Sequence, residues 1–194
     1  LRFNDGDSPG LAITPSGAGN RKTWTYSGWV KRSALTTGQE HIFMVNGGNN
    51  DSTWVQLRFE DNDFTFSFYN QRAWYHIVVA VDTTQGTDSN RIKLYVNGVQ
   101  ETSFSDTNYP SQNDDTGVNG TYRHFIGGEG GTSGNASGSF YDGYMTEVHL
   151  VDGSQLLPTS FGEFDDNGVW VPIKYTGSYG TNGFLLQFKQ TGTS

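Results

Sequence analysis

Apolar and polar side chains alternate with a period of two along most of this chain. In Thr23–Arg32, TWTYSGWVKR, one side carries Trp24, Tyr26, Gly28 and Val30 and the other Thr25, Ser27, Trp29 and Lys31. This is the signature of a β-strand, and it turns Trp29 away from Trp24. The same rhythm recurs in HIFMV, TWVQLRF, FTFSFY, WYHIVVAV, RIKLYV, RHFIGG, YMTEVHLV and GFLLQF, which are separated by clusters of Gly, Asn, Asp, Ser and Pro. Periodicity alone predicts an all-β sandwich or barrel.

In AWYHIVVAVD, Tyr75, Ile77, Val79 and Val81 fall on one face and Trp74, His76, Val78 and Ala80 on the other. A strand apolar on both sides belongs in the middle of a sheet. His76 then reads as a sheet-surface histidine held by a hydrogen bond to a neighbour rather than as a catalytic base. In RIKLYVNGVQE, Ile92, Leu94 and Val96 share a face, and the Asn97-Gly98 pair supplies the positive φ angles of a tight hairpin turn, with Val99 starting the return. On YMTEVHLV, strict alternation predicts Tyr144, Val148 and Leu150 on one face and Glu147 and His149 on the other. The glycine-rich GGEGGTSGNASGS reads as one long loop. SQLLPTSFGEFDDNGVWVP reads as one short helical turn around 156–161 followed by an irregular, aromatic-rich tail.

Composition narrows the class. With 26 glycines and 14% aromatic residues, the chain has the makings of many tight turns around a core of ring side chains. Residues 1–194 are expected to form a single domain, excised from a longer chain. A formal net charge of −8 has the wrong sign for gripping nucleic acid or an anionic membrane. Cysteine is absent, so no disulfide or thiolate zinc site supports the fold. No apolar run approaches the roughly 18 residues of a spanning helix, so no membrane insertion is expected.

The strings WTYSGWVKR, WYHIVVAVD, IKLYVNGV, HFIGG and FYDGYMTEVHLVDG, in this order, resemble the laminin-G-like, concanavalin-A-like jelly-roll superfamily. The resemblance implies a two-sheet antiparallel sandwich whose ligands are met on a concave face or along the loop rim. The tail SFGEFDDNGVWVPIKYTGSYGTNGFLLQF is similar to laminin-G-like modules in structural and tail-fibre proteins of marine bacteriophages. That similarity implies a fibre or capsid-decoration module at the virion surface, binding host-surface glycan and touching other virion proteins, with a homo-oligomer as one arrangement. Such modules usually carry an additional strand and loop between FTFSFY and WYH; here only Asn70 to Ala73 intervene.

Related glucanases carry Glu, any residue, Asp, two residues, Glu on one strand, so that alternate carboxylates serve as acid and nucleophile. This chain lacks the pattern: EVHLVDG has one carboxylate at each end, and in GEFDDNG the spacing begun by Glu163 and Asp165 ends on Gly168. No nucleophile elbow frames a serine, and no Gly-Lys-Ser/Thr follows a glycine-rich loop. A non-enzymatic role is expected. Sugars are held by aromatic faces plus charged or amide groups, which Trp29, Trp74, His76, Glu147 and His149 supply if their strands share a face. A solvated outer sheet face is the competing reading of the same residues. Calcium is a candidate cofactor, since oxygen donors cluster in NGGNNDS and DTTQGTDSN. The resemblance implies a rim calcium held by Asp51 and by carbonyls after the IGG segment; otherwise Asp51 simply ends a turn. The alternatives to glycan attachment are a structural assembly domain, in which the tail from Val169 to Tyr179 packs against a neighbouring subunit, and a polysaccharide depolymerase.

Overall fold

The computed structural model describes residues 1–33, 38–48, 53–60, 73–104, 107–132 and 134–189. Asp51 and the FTFSFY segment lie outside the described residues. Two antiparallel sheets face each other. The large one runs β1 (Arg2–Phe3), β10 (Gly143–Asp152), β3 (Thr23–Arg32), β6 (Tyr75–Asp82), β7 (Ile92–Val96), β8 (Val99–Glu101), with β13 (Phe184–Leu186) also paired to β10. The small one runs β2 (Leu11–Ile13), β9 (Arg123–Ile126), β4 (Gln39–Asn46), β5 (Val55–Glu60). A separate hairpin joins β11 (Gly162–Phe164) to β12 (Trp170–Pro172). The fold is the all-β jelly-roll sandwich that alternation and resemblance anticipate. None of the described helices is long and apolar enough to cross a membrane.

The core lies between the sheets. Trp24, Tyr26 and Val30 of β3, Ile77 and Val81 of β6, and Val148 and Leu150 of β10 meet Phe43 and Val45 of β4, Phe59 of β5 and Ile126 of β9. Tyr26 stacks on Phe43 with ring centroids 5.2 Å apart. Burying each such ring contributes about 2–3 kcal/mol. One buried ion pair also bridges the sheets: Arg32 Nε donates to Glu40 Oε2 at 3.1 Å, and its guanidinium lies 4.6 Å over the Phe59 ring.

Most of the predicted elements are present. β6 sits between β3 and β7, as a strand apolar on both faces should. Asn97 and Gly98 take φ of 47° and 83° between β7 and β8, the left-handed pair that a tight hairpin demands. The helical turn near 156–161 is a 3-10 turn at Pro158–Ser160. The tail beyond it is more regular than expected, because Asp165 Oδ1 accepts from Asn167 N and Val169 N and closes the turn between β11 and β12.

One facing expectation fails. Tyr144 pairs with Lys31 and Thr146 with Trp29, but the next pair is His149 with Ser27. The extra residue is a β-bulge, with Glu147 in the left-handed region at φ 46°. Alternation therefore reverses within β10. Met145, Val148 and Leu150 point into the core, while Tyr144 and His149 share the outer face.

Candidate functional site

Three of the five residues expected to hold a sugar are brought together, beneath the chain's own C-terminal segment. Trp29 of β3 and His76 of β6 are register partners on the outer face of the large sheet, and their rings stack 5.0 Å apart. Trp170 of β12 lies beside the imidazole, with ring centroids 6.0 Å apart and planes 22° from parallel. Trp170 Nε1–H donates to His76 Nδ1 at 2.9 Å, and an indole cannot accept, so the imidazole proton sits on Nε2. Nε2–H then donates to Ser27 Oγ at 2.8 Å. His76 is the hydrogen-bonded sheet histidine that its surroundings in the sequence suggest. Burial, and secondarily the charge of nearby His149, push its pKa down to about 3.

His149 completes the cluster. Its ring stacks nearly parallel on Tyr179 at 6.0 Å, shares a 2.9 Å hydrogen bond between Nδ1 and the Tyr179 hydroxyl, and touches Phe161 and Tyr175. Burial lowers its pKa to about 4. Trp29, His76 and His149 are 8%, 1% and 2% exposed, so no glycan reaches them while residues 156–189 are in place. The physical reason is a supply of rings from downstream, since Phe161, Trp170, Tyr175 and Tyr179 find their apolar partners on this sheet. Packing of the Val169 to Tyr179 tail against a neighbouring subunit meets the same competing use; Val169 alone of these named hydrophobics stays exposed, at 56%. Trp74 is exposed and stands apart, edge-on to Tyr144 at 6.4 Å. Glu147 lies at the bulge, where Oε1 accepts from Gln187 Nε2 and Oε2 is 3.9 Å from His149 Nε2.

A second feature, which sequence reasoning missed, is a cleft of about 490 Å³ where the sandwich opens between β5 and the β6–β7 pair. Trp24 lies at its floor, with Trp54, Asn108, Tyr109, Asp114 and Asp115 around it. The loop over 108–116 is tied down at several points. Trp24 Nε1–H donates to Thr116 Oγ1, whose hydroxyl donates to Arg21 O; Arg21 Nε–H donates to Thr116 O and its guanidinium sits 3.7 Å from Asp115. Arg91 Nη1 donates to Pro110 O, and Thr83 Oγ1 to Asp114 O. Trp54 Nε1–H donates to Asn46 Oδ1, which orients an indole that is 47% exposed. A pocket of this size with an apolar floor and a few convergent polar groups is the form small-molecule sites take. Its signal in the sequence is NYPSQNDDT, a ring beside a proline followed by paired carboxylates.

Asp51, the side chain that the resemblance assigns to a rim calcium, lies outside the described residues. The carbonyls after Ile126 are already engaged: Gly127 O accepts from Tyr141 N, Glu129 O from Ser137 N and Gly138 N, and Gly130 O from Asn46 Nδ2. Among the described residues no group of three or more His, Asp or Glu could hold a metal. The carboxylates once compared with a glucanase pattern are likewise in use: Asp152 accepts from Asn20 N, Asn119 Nδ2 and Asn182 N, and Asp165 closes its turn.

Comparison with known proteins agrees with this architecture. A search of curated protein sequences returned no match. Among solved structures, domain 4 of AbnA, an extracellular arabinanase from Geobacillus stearothermophilus solved with arabinotriose, superposes with a TM-score of 0.51 at 24% identity, covering 77% of this chain and 69% of that one. The enzymatically active domain of tailspike protein 2 from bacteriophage CBA120 gives 0.51 at 12% identity, covering 78% of this chain and 25% of that one. This chain therefore spans about a quarter of the tailspike domain, and at these identities both likenesses speak to the fold alone. The family model for the concanavalin A-like lectin/glucanases superfamily matches residues 5–155, and the chain belongs to that superfamily.

Proposed function

We propose that this chain is a non-catalytic carbohydrate-binding module whose site is the cleft beside Trp54. The carrying observation is the company the cleft keeps: two accessible rings, Trp54 and Tyr109, beside the carboxylates of Asp114 and Asp115 and the amides of Asn108 and Gln56. Rings take the C–H face of a sugar, and carboxylates and amides accept and donate to its hydroxyls. The acidic rim favours a neutral, hydroxyl-rich glycan. Engagement of Asp152 and Asp165 with backbone N–H groups supports binding without hydrolysis. The similarity of the tail to marine bacteriophage modules supports placing the domain on a virion surface, as a fibre or decoration module that attaches to host glycan and contacts other virion proteins, with a homo-oligomer as one arrangement. A calcium held by Asp51 and by carbonyls after the IGG segment would serve as a bridge to the glycan.

A glycan array, with and without chelator, followed by titration of the best ligand, tests this reading. Trp54→Ala should weaken binding at least tenfold, about 1.4 kcal/mol, if the indole carries the stacking. Unchanged affinity, or no binding to any glycan in either condition, would remove the proposal. Release of reducing ends from a bound polysaccharide would replace it with the depolymerase reading.

A further inference from the structure

Outside the covered cluster, the described residues form an open row on the outer face of the large sheet. Arg2 of β1 is in register with Tyr144 of β10, and Tyr144 with Lys31 of β3. Val30 pairs with Tyr75, so the next residue, Lys31, stands opposite Trp74, just before β6. Register partners on neighbouring strands share a face, and four strands at about 4.8 Å spacing make a row about 14 Å long. It reads cation, ring, cation, ring. Tyr144 is 38% and Trp74 39% exposed, and Lys31 Nζ lies 5.9 Å from the centre of the Tyr144 ring. Among the described residues neither Arg2 nor Lys31 forms an ion pair. On β10 beside the row, Glu147 is taken up with Gln187 and His149; Asp142, just before β10, has Oδ1 buried without a hydrogen-bond partner.

We infer that this row is a second carbohydrate site, selective for acidic polysaccharide bearing carboxylate groups. On a chain of net charge −8, two unpaired cations flanked by accessible rings form a local exception to the repulsion of polyanions. The rings take the C–H faces of uronic acid units, and Arg2 and Lys31 meet their carboxylates by charge-assisted hydrogen bonds. This site is independent of the cleft beside Trp54, whose rim has the opposite charge.

Polygalacturonate and its fully methyl-esterified, uncharged form are the probes, used in affinity electrophoresis and titration calorimetry at two salt concentrations. The wild-type chain should bind the acid polymer at least tenfold more tightly than the ester, and more weakly at high salt. Trp74→Ala and the Arg2→Gln/Lys31→Gln pair should each reduce that affinity at least tenfold, with Lys31→Arg retaining it and Trp54→Ala leaving it unchanged. Thermal melts check that the variants are folded. Equal binding of acid and ester, equal binding by the double variant and wild type, loss of acid binding in Trp54→Ala, or no binding of polygalacturonate would each overturn the assignment. Loss of acid binding in Trp54→Ala would place the acid polymer in the cleft itself; the other outcomes leave a neutral glycan there untouched.

Discussion

Acidification from pH 7 to 4.5 should strain the junction between the C-terminal segment and the large sheet. His76 and His149 are buried there in neutral form, with pKa values pushed down to about 3 and about 4, against about 6.5 for an unfolded histidine. Above pH 6.5 both rings are neutral in both states and pH has no leverage on them. As pH falls through 6.5 only the unfolded chain takes up the protons, so stability declines until the folded-state values are reached. At pH 4.5, two units below the unfolded value at about 1.4 kcal/mol per unit, each ring costs roughly 2–3 kcal/mol and the pair roughly 5. That is comparable with the whole stability of a small domain, about 5–15 kcal/mol. Ordinary carboxylates titrate mostly below this window, so histidine dominates it. His41 and His124 are also lowered, chiefly by burial, so the contribution of the pair is isolated by comparing wild type with His76→Gln/His149→Gln. Denaturant titrations followed by tryptophan fluorescence at pH 7 and 4.5 should show the double variant losing roughly 5 kcal/mol less than wild type. Equal losses, or an imidazole proton resonance of either ring titrating near pH 6.5 in the folded protein, would refute the reasoning.

Trp170→Ala removes the ring beside His76 and leaves Nδ1 buried without its donor; it should cost about 3–5 kcal/mol and hasten proteolysis within 156–189, and unchanged cleavage would contradict the packing described. Gly98 has φ 83°, and a Cβ there would lie 2.5 Å from Trp170 Cζ3. Gly98→Ala should therefore cost about 1–3 kcal/mol in a thermal melt, and an unaltered midpoint would count against the close approach.

The strands legible in the sequence are those whose facing follows a simple alternation. β3 announces itself because its two faces bury different things, Trp24 and Tyr26 the core and Trp29 the C-terminal segment. β7 and β8 announce themselves because Asn97-Gly98 is local turn chemistry. The reversal in β10 was hidden because its left-handed residue is a glutamate, with no glycine to flag it. Ser27 and Trp170, the partners of His76, lie 49 and 94 residues away, so that a partner existed was readable and which one was not. The cleft was hidden for a related reason: Trp24 meets Thr116 across 92 residues, and the loop that supplies Tyr109 and Asp114 has no periodicity to read. The covering segment was anticipated as aromatic, but its destination depended on which faces were left open.

β1 and β13 lie end to end along one edge of β10, with two and three residue pairs, while the opposite edge of β10 is held by eight pairs to β3. Tension drawn between residue 1 and residue 189 would thus be met first by two short ladders at the sheet's margin. They would peel pair by pair while the long central ladders stayed closed, so the molecule has a mechanical fuse at its margin and a stiff interior behind it.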